Sequence, residues 1–273
     1  MSLYKCQFAM MSLVLWLSPM LSNANVSVTV SDCSGVVFIM PGMSADQKAM
    51  VLTNGHCIGI GGYMNRYPDD GEVFVNREVT NSLILMRNKY DSGEFFGYSK
   101  VLFATLTGVD LAVIELDATY EELRSGGYTV YKLATELPEK GMILNFDSYN
   151  RNANSSCEVE KTVPILREDR WTWSNFIRMV LSRTCHYVHG QSGTAGIDPS
   201  TGLIYALAQT VYEGGAACTL NNPCEVDPLT GAYSTAGIYQ SYAVPVVALH
   251  DCYDVKNKKF DFRLNTCGIN FRK

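Results

Sequence analysis

All-β is the fold class this sequence predicts, and three observations predict it. Short apolar, β-branched runs recur along the 273 residues, turn residues separate them, and helical periodicity sustained over several turns is nearly absent. The apolar share of 47% supplies a core, and the length suits one large β domain or two small ones sharing an interface.

Taken in chain order, residues 1–24 stand outside the fold. Lys5 gives a positive start, 8–17 (FAMMSLVLWL) is apolar and short for a bilayer, and Ser22 and Ala24 place small residues where a signal peptidase reads. A cleaved signal peptide is expected, with a buried helix or uncleaved anchor as the alternative. Strands are then expected at 35–40 (GVVFIM), 49–53 (AMVLT), 83–86 (LILM) and 111–116 (LAVIEL). A turn or two of helix is expected at 120–125. The polar stretch 131–140 (YKLATELPEK), which carries a proline, reads as a joint dividing the mature chain into 25–135 and 136–273. Beyond it, strands are expected at 142–146, 177–182 and 203–210, and a short helix at 246–253. Loops fall at 59–62 (GIGG), 68–71 (PDDG) and 198–202 (DPSTG), and 59–97 reads as extended loops. Each half holds about six candidate strands.

The formal charge is −5, with both signs interspersed. Nothing clusters into the basic face that nucleic acid needs, nor into a polybasic membrane segment, so neither partner is expected once the leader is gone. Of nine cysteines, Cys6 lies in the leader. An even eight remain (Cys33, Cys57, Cys157, Cys185, Cys218, Cys224, Cys252 and Cys267), which in an exported chain reads as a disulfide framework and a secreted or periplasmic location. Metal binding is the weaker reading. Cys185, His186 and His189 are the nearest thing to a ligand cluster, and no second cysteine pair stands at finger spacing.

Three local motifs carry chemistry. In 51–57 (VLTNGHC) a strand ends on His56, with a cysteine directly after it. In 108–114 (GVDLAVI) Asp110 stands at the mouth of a buried strand, and in 189–195 (HGQSGTA) Ser192 sits in a tight glycine-containing turn. A serine hydroxyl becomes a useful nucleophile when a neighbouring base takes its proton. Histidine has the matching pKa, and a buried carboxylate holds its tautomer. Glycines beside the serine let backbone N–H groups converge on an oxyanion, a contribution worth about 3–4 kcal/mol per donor.

In these motifs the chain resembles the chymotrypsin/trypsin-like serine peptidases. Thr-Asn-Gly-His-Cys is similar to that family's Thr-Ala-Ala-His-Cys, Val-Asp-Leu-Ala-Val-Ile to its Asp-Ile-Ala-Leu-Leu, and Gly-Gln-Ser-Gly-Thr-Ala to its Gly-Asp-Ser-Gly-Gly-Pro. The order His56, Asp110, Ser192 matches too. The resemblance implies two six-stranded antiparallel β-barrels with a short C-terminal helix, and a secreted serine endopeptidase with Gly190 and Ser192 N–H as oxyanion donors. It implies no cofactor and no metal, a monomer, and protein or peptide substrates paired with Gln209, Thr210 and Val211. It also implies Cys33–Cys57 and Cys157–Cys185 bridges, leaving Cys218–Cys224 and Cys252–Cys267.

The departures from that pattern matter. Gln191 replaces the aspartate that binds a newly cut N-terminus in the trypsin branch, and 25–32 (NVSVTVSD) holds no Lys or Arg for an activating cut. The expectation is an oxyanion hole formed without that switch, as in bacterial relatives. Counting six residues back from Ser192 puts His186 at the floor of the specificity pocket, where cutting after Lys or Arg would need an Asp and is disfavoured; His186 favours an acidic or polar substrate side chain unless it is a core residue, and Asp227 is a candidate for the pocket rim. A binding protein on an inactive version of this scaffold and an esterase or acyltransferase using the same triad remain alternatives. Asn25 and Asn154 head glycosylation sequons.

Overall fold

A computed structural model describes residues 28–59, 66–88, 92–148, 153–262, 267 and 269. The expected signal peptide at 1–24, the Asn25 sequon and most of the glycine loop at 59–62 lie outside the described residues.

Six antiparallel strands form the first barrel: β1 (Val28–Val30), β2 (Cys33–Ile39), β3 (Lys48–Thr53), β4 (Val73–Arg87), β5 (Gly93–Thr105) and β6 (Leu111–Thr119). They lie in the order β1-β4-β5-β6-β3-β2, and β2 pairs back with β1 to close the ring. β7 (Tyr131–Leu133) follows. The second barrel uses β8 (Ile143–Ser148), β9 (Ala153–Glu168), β10 (Trp171–Met179), β11 (Ala195–Ile197) and β12 (Leu203–Val211). After a hairpin of β13 (Cys224–Val226) and β14 (Tyr233–Ser234) docked on β9, β15 (Ser241–Pro245) pairs with both β10 and β12 and completes it. Two closed six-stranded rings result, and closure covers most of each sheet's edge, though not the end of β12 at Gln209–Val211, which is paired on one side only. β7 pairs in parallel with β2 on one side and β12 on the other.

The runs that read as continuously apolar do so because both of their faces are covered. On β2, Val37 faces the interior of the first barrel with Val51 and Ile114. Its neighbours Val36 and Phe38 turn outward, yet they join Leu52, Leu111 and Val113 in a layer shared with Trp173, Phe176, Leu207 and Val244 of the second barrel. A separate interior of Leu144, Phe146, Val159, Ile177 and Ala206 fills the second ring. Period-two side chains thus serve two cores at once, and the alternation disappears from the sequence.

The long hairpin strands were less visible. The expected run 83–86 is the end of β4, so much of the stretch read as loop at 59–97 is the β4–β5 hairpin. β9 alternates buried and exposed positions under a mostly polar composition. The helix at 120–125 is present as α2 (Tyr120–Ser125), after the single turn α1 (Gly55–Gly59). Thr119 caps α2 and Glu122 returns the bond to the cap, a complete capping box. The helix expected over 246–253 is shorter, α3 (Ala248–Asp251). No side chain caps its start, and at its end the chain turns through Cys252 into a small hairpin of β16 (Tyr253–Asp254) and β17 (Lys259–Phe260). The tail then packs on the layer between the barrels, with Phe262 stacked on Phe103 at 4.1 Å between ring centroids.

Four disulfides join Cys33 to Cys57, Cys157 to Cys185, Cys218 to Cys224 and Cys252 to Cys267. Each contributes about 2–4 kcal/mol by limiting the unfolded chain. No helix among the described residues is long and apolar enough to cross a membrane.

Candidate active site

β3 delivers its last residue, Thr53, to the edge of a cleft between the barrels. Asn54, wholly buried, donates from Nδ2 to the Asp110 carbonyl at 3.0 Å. Gly55 then passes so close to β5 that a Cβ there would stand 2.0 Å from the Thr105 carbonyl oxygen. The glycine before the histidine, a departure from the family pattern, is therefore a steric requirement of this backbone. It brings His56 into the first turn of α1, which the Cys33–Cys57 bridge ties to β2.

Asp110 is fully buried at the start of β6. Its Oδ1 accepts from the His56 backbone N–H at 3.0 Å and its Oδ2 lies 2.6 Å from His56 Nδ1. Gln209 adds a third bond, Nε2 donating to Oδ2 at 3.0 Å. With the carboxylate ionised, Nδ1 must carry the ring proton and Nε2 is left as the base. Burial disfavours the imidazolium, but the charge and hydrogen bond of Asp110 outweigh it and Glu168 adds to them, so the His56 pKa stands above its ordinary value.

Ser192 occupies a turn pinned from both barrels. Its carbonyl accepts from Ser34 N–H of β2 at 2.8 Å, and the next amide, Gly193 N–H, donates to Ala208 of β12 at 2.9 Å. Gly193 has φ +81°, and a Cβ on it would lie 2.0 Å from the Ser34 carbonyl oxygen, so glycine is obligatory there. The Ser192 hydroxyl donates to the Gln209 carbonyl at 3.4 Å and makes no hydrogen bond with His56, although both line one cleft of about 440 Å³. Neither Gly190 N–H nor Ser192 N–H has an acceptor among the described residues. Gln191 is buried and satisfied by its own barrel: Oε1 accepts from Val188 N–H at 2.8 Å and Nε2 donates to the Ala153 carbonyl at 3.2 Å.

Gln209, Thr210 and Val211 all line the cleft. A register shift between Ala208 and Thr210 marks a bulge at Gln209, and such an extra residue re-aims a side chain. Here it sends the Gln209 amide to Asp110, a supporting role that the sequence reading, which assigned Gln209 to the substrate strand alone, had missed.

His186 is misplaced by the sequence reading. It is exposed, meets the edge of the Tyr239 ring at 4.7 Å between centroids, and does not line the cleft. Cys185 and Tyr187 point inward, so the residue between them points out, and counting back from Ser192 lands on the wrong parity. Tyr187 and Val188 line the cleft instead, and His189 pairs with Glu213 at 2.8 Å. Asp227 does not reach the cleft either. Its carboxylate caps its own turn by accepting from Leu229 and Thr230 N–H at 2.7 and 3.1 Å.

One residue of the cleft was not anticipated. Glu168, at the end of β9, is 4% exposed. Its Oε1 accepts from Asn221 N–H at 2.8 Å, while its buried Oε2 makes no hydrogen bond among the described residues. Burial pushes its carboxyl up to about 7, against the opposing pull of the Thr210 hydroxyl and Asn221 N–H. Among the described residues, the one group of three metal-type side chains is Cys33, His56 and Cys57. Both its sulfurs are in a disulfide, which leaves a metal only the imidazole.

No protein-family model and no curated protein matches the chain. Solved chains similar to it in fold do exist. The MamO protease domain of Magnetospirillum magneticum, apo form, is 13% identical with TM-score 0.45, over 81% of this chain and 90% of that one. Kallikrein-related peptidase 10 is 12% identical with TM-score 0.48, over 82% and 90%. The scabies mite inactivated protease paralogue S-D1 is 13% identical with TM-score 0.47, over 81% and 86%. The names span a peptidase and an inactivated paralogue. Likenesses this distant do not decide what this chain does, which rests on its own strands and side chains.

Proposed function

We propose that this protein is an exported, monomeric serine endopeptidase that works through an acyl-enzyme without cofactor or metal. The observation that carries this reading is the doubly bonded His56–Asp110 pair opening on the same cleft as Ser192. His56 Nε2 takes the Ser192 proton as Oγ attacks the peptide carbonyl, and Asp110 stabilises the resulting imidazolium. The unpaired N–H groups of Gly190 and Ser192 receive the oxyanion. His56 then gives the proton to the departing amine, and a water, deprotonated by the same nitrogen, hydrolyses the ester. Among the described residues no strand covers the free edge of Gln209–Val211, which suits an extended peptide added alongside. Because Gln191 is satisfied internally, the hole needs no freshly cut N-terminus.

A second reading is a binding protein on an inactive scaffold, and the Ser192 hydroxyl favours it by turning to Gln209 rather than His56. That contact is long for an O–H···O bond, and a rotation about χ1 releases it. Incubating the mature protein with a fluorophosphonate probe and recording intact mass separates the two. Stoichiometric labelling that Ser192→Ala abolishes supports the peptidase; absence of labelling in folded protein overturns it.

A further inference from the structure

Beyond Val211 the cleft is closed by the chain itself. In an antiparallel pair, successive residues turn their backbone groups to opposite edges of the strand. Tyr212 bonds toward the lead-in of β15: its N–H donates to the Gln240 carbonyl at 3.0 Å, and its carbonyl accepts from Tyr239 N–H at 2.7 Å. Val211 and Glu213 therefore present their groups to the other edge, the one on the cleft. At Val211 no strand among the described residues covers that edge. At Glu213 it is taken, because the Glu213 N–H donates to the Asn221 carbonyl at 3.1 Å. Asn221 stands where the next residue of a strand laid beside Val211 would pair.

The segment that carries Asn221 is anchored to the end of β9 at two points. Asp169 N–H donates to the Cys218 carbonyl at 2.9 Å, and the buried Glu168 carboxylate accepts from Asn221 N–H at 2.8 Å. Cys218 is also bridged to Cys224, which opens β13 opposite Arg167 of β9. Between the bridged cysteines a tight turn closes, with Asn222 N–H on the Thr219 carbonyl at 2.9 Å. Cys218 takes φ +60° and Asn221 φ +59°. That left-handed conformation is uncommon for a cysteine and persists where the surroundings dictate it. Leu220, between them and 46% exposed, lines the cleft. From the facing wall His189 holds the Glu213 carboxylate at 2.8 Å, which fixes the end of the edge.

We infer that Leu220 and Asn221 form an end stop that confines the backbone pairing of a bound peptide to the stretch beside Gln209, Thr210 and Val211. Laid antiparallel to β12, as β11 and β15 are, a peptide has its N-terminal part at Val211 and runs toward Gln209 and Ser192. Hydrogen-bonded positions recur at every second residue. With the first residue before the cut beside Gln209, the third pairs with Val211 and the fifth would need the Glu213 edge that Asn221 occupies. The substrate class is thus a peptide that lies in the sheet for about four residues before the cut and then ends or leaves the strand. The inference rests on the peptidase reading for the position of the cut, but not for binding, and the test uses that difference.

A pool of random acetylated, amidated dodecapeptides is mixed with Ser192→Ala protein, and the best-retained peptide is identified by affinity-selection mass spectrometry. Its Kd is then followed, by competition against a fluorescent copy, as residues are removed one at a time from either end. Wild-type protein locates the cut in the same peptide. Removing residues beyond the fourth before the cut should change Kd by less than about twofold, whereas losing the third, with its two bonds to Val211, should weaken binding about tenfold or more. In Ser192→Ala protein with residues 219–222 replaced by two glycines, the fifth residue should begin to contribute, about threefold or more. A fifth residue that already contributes with the segment intact, a truncation profile unchanged by the two glycines, or no retained peptide overturns the end stop. Should the two-glycine variant fold poorly, the profile on the Ser192→Ala protein decides alone. A profile that lengthens at the N-terminal end in that variant, with no cleavage and no fluorophosphonate labelling in the wild type, would leave the end stop standing and refute the peptidase.

Discussion

Replacing Glu168 by Gln should stabilise the free protein at neutral and alkaline pH and leave it unchanged in acid. The carboxyl titrates near 4.5 when exposed and at about 7 in the folded cleft. Between those values the native state holds a proton that the unfolded chain has released, so native stability declines as pH rises through the window and the whole penalty is present above 7. The rise from 4.5 to about 7 corresponds to roughly 3–4 kcal/mol. Gln cannot ionise, and its Oε1 can keep the Asn221 bond. The variant's advantage should therefore grow from nil near pH 4 to about 3 kcal/mol at pH 8. For a chain of this size that is a rise in Tm of about 6–12 °C. The assay is thermal unfolding followed by circular dichroism, disulfides intact, comparing Ser192→Ala with Glu168→Gln/Ser192→Ala at pH 4.5, 6 and 8 so that autolysis plays no part. A Tm difference that does not change with pH, or a Gln variant less stable at pH 8, would refute the assignment of a carboxyl whose burial outweighs its hydrogen bonds.

Two further outcomes follow from bonds around His56, Asp110 and Ser192. Gln209→Ala removes a donor from Asp110 and should lower kcat/KM about tenfold while moving the acid limb of its pH profile upward, because an Asp110 carboxylate with fewer donors holds the His56 proton more firmly. An unshifted profile would make Gln209 merely structural. Gln191→Glu keeps the shape but sets a carboxylate oxygen against the Ala153 carbonyl with no cation described nearby, and should cost about 3 kcal/mol in urea unfolding at pH 8. A neutral result there would mean that Gln191 is not held as described.

The two-barrel architecture was legible because its parts declare themselves locally: runs such as 35–40 and 111–116 are apolar on both faces, and the three motifs occur in one order. Side-chain parity was not legible. His186 and Tyr187 are adjacent in a loop whose inward face is set by the Cys157–Cys185 bridge, and no local pattern says which of the two turns in. Gln209 gave no sign of reaching Asp110, since a bulge is a property of pairing with β15 and not of β12 alone. Glu168 sits at the end of a polar hairpin strand, where an acid ordinarily meets water. It is buried by residues some forty to fifty positions later, Thr210 and Asn221 among them. The one available hint was the pair of tryptophans, Trp171 and Trp173, close after it.

The layer shared by the two barrels bears on the integrity of the chain itself. His56 and Asp110 come from the first ring and Ser192 from the second, and none of the four disulfides joins one ring to the other. What unites them is Phe38, Leu52 and Leu111 against Phe176, Leu207 and Val244, the parallel pairings of β7 with β2 and β12, and bonds such as Trp173 to Leu106. A protease that nicked the exposed stretch at 139–140 would sever the peptide without parting the halves, which would stay docked through that layer. Either half synthesised alone would present that greasy face to water and precipitate.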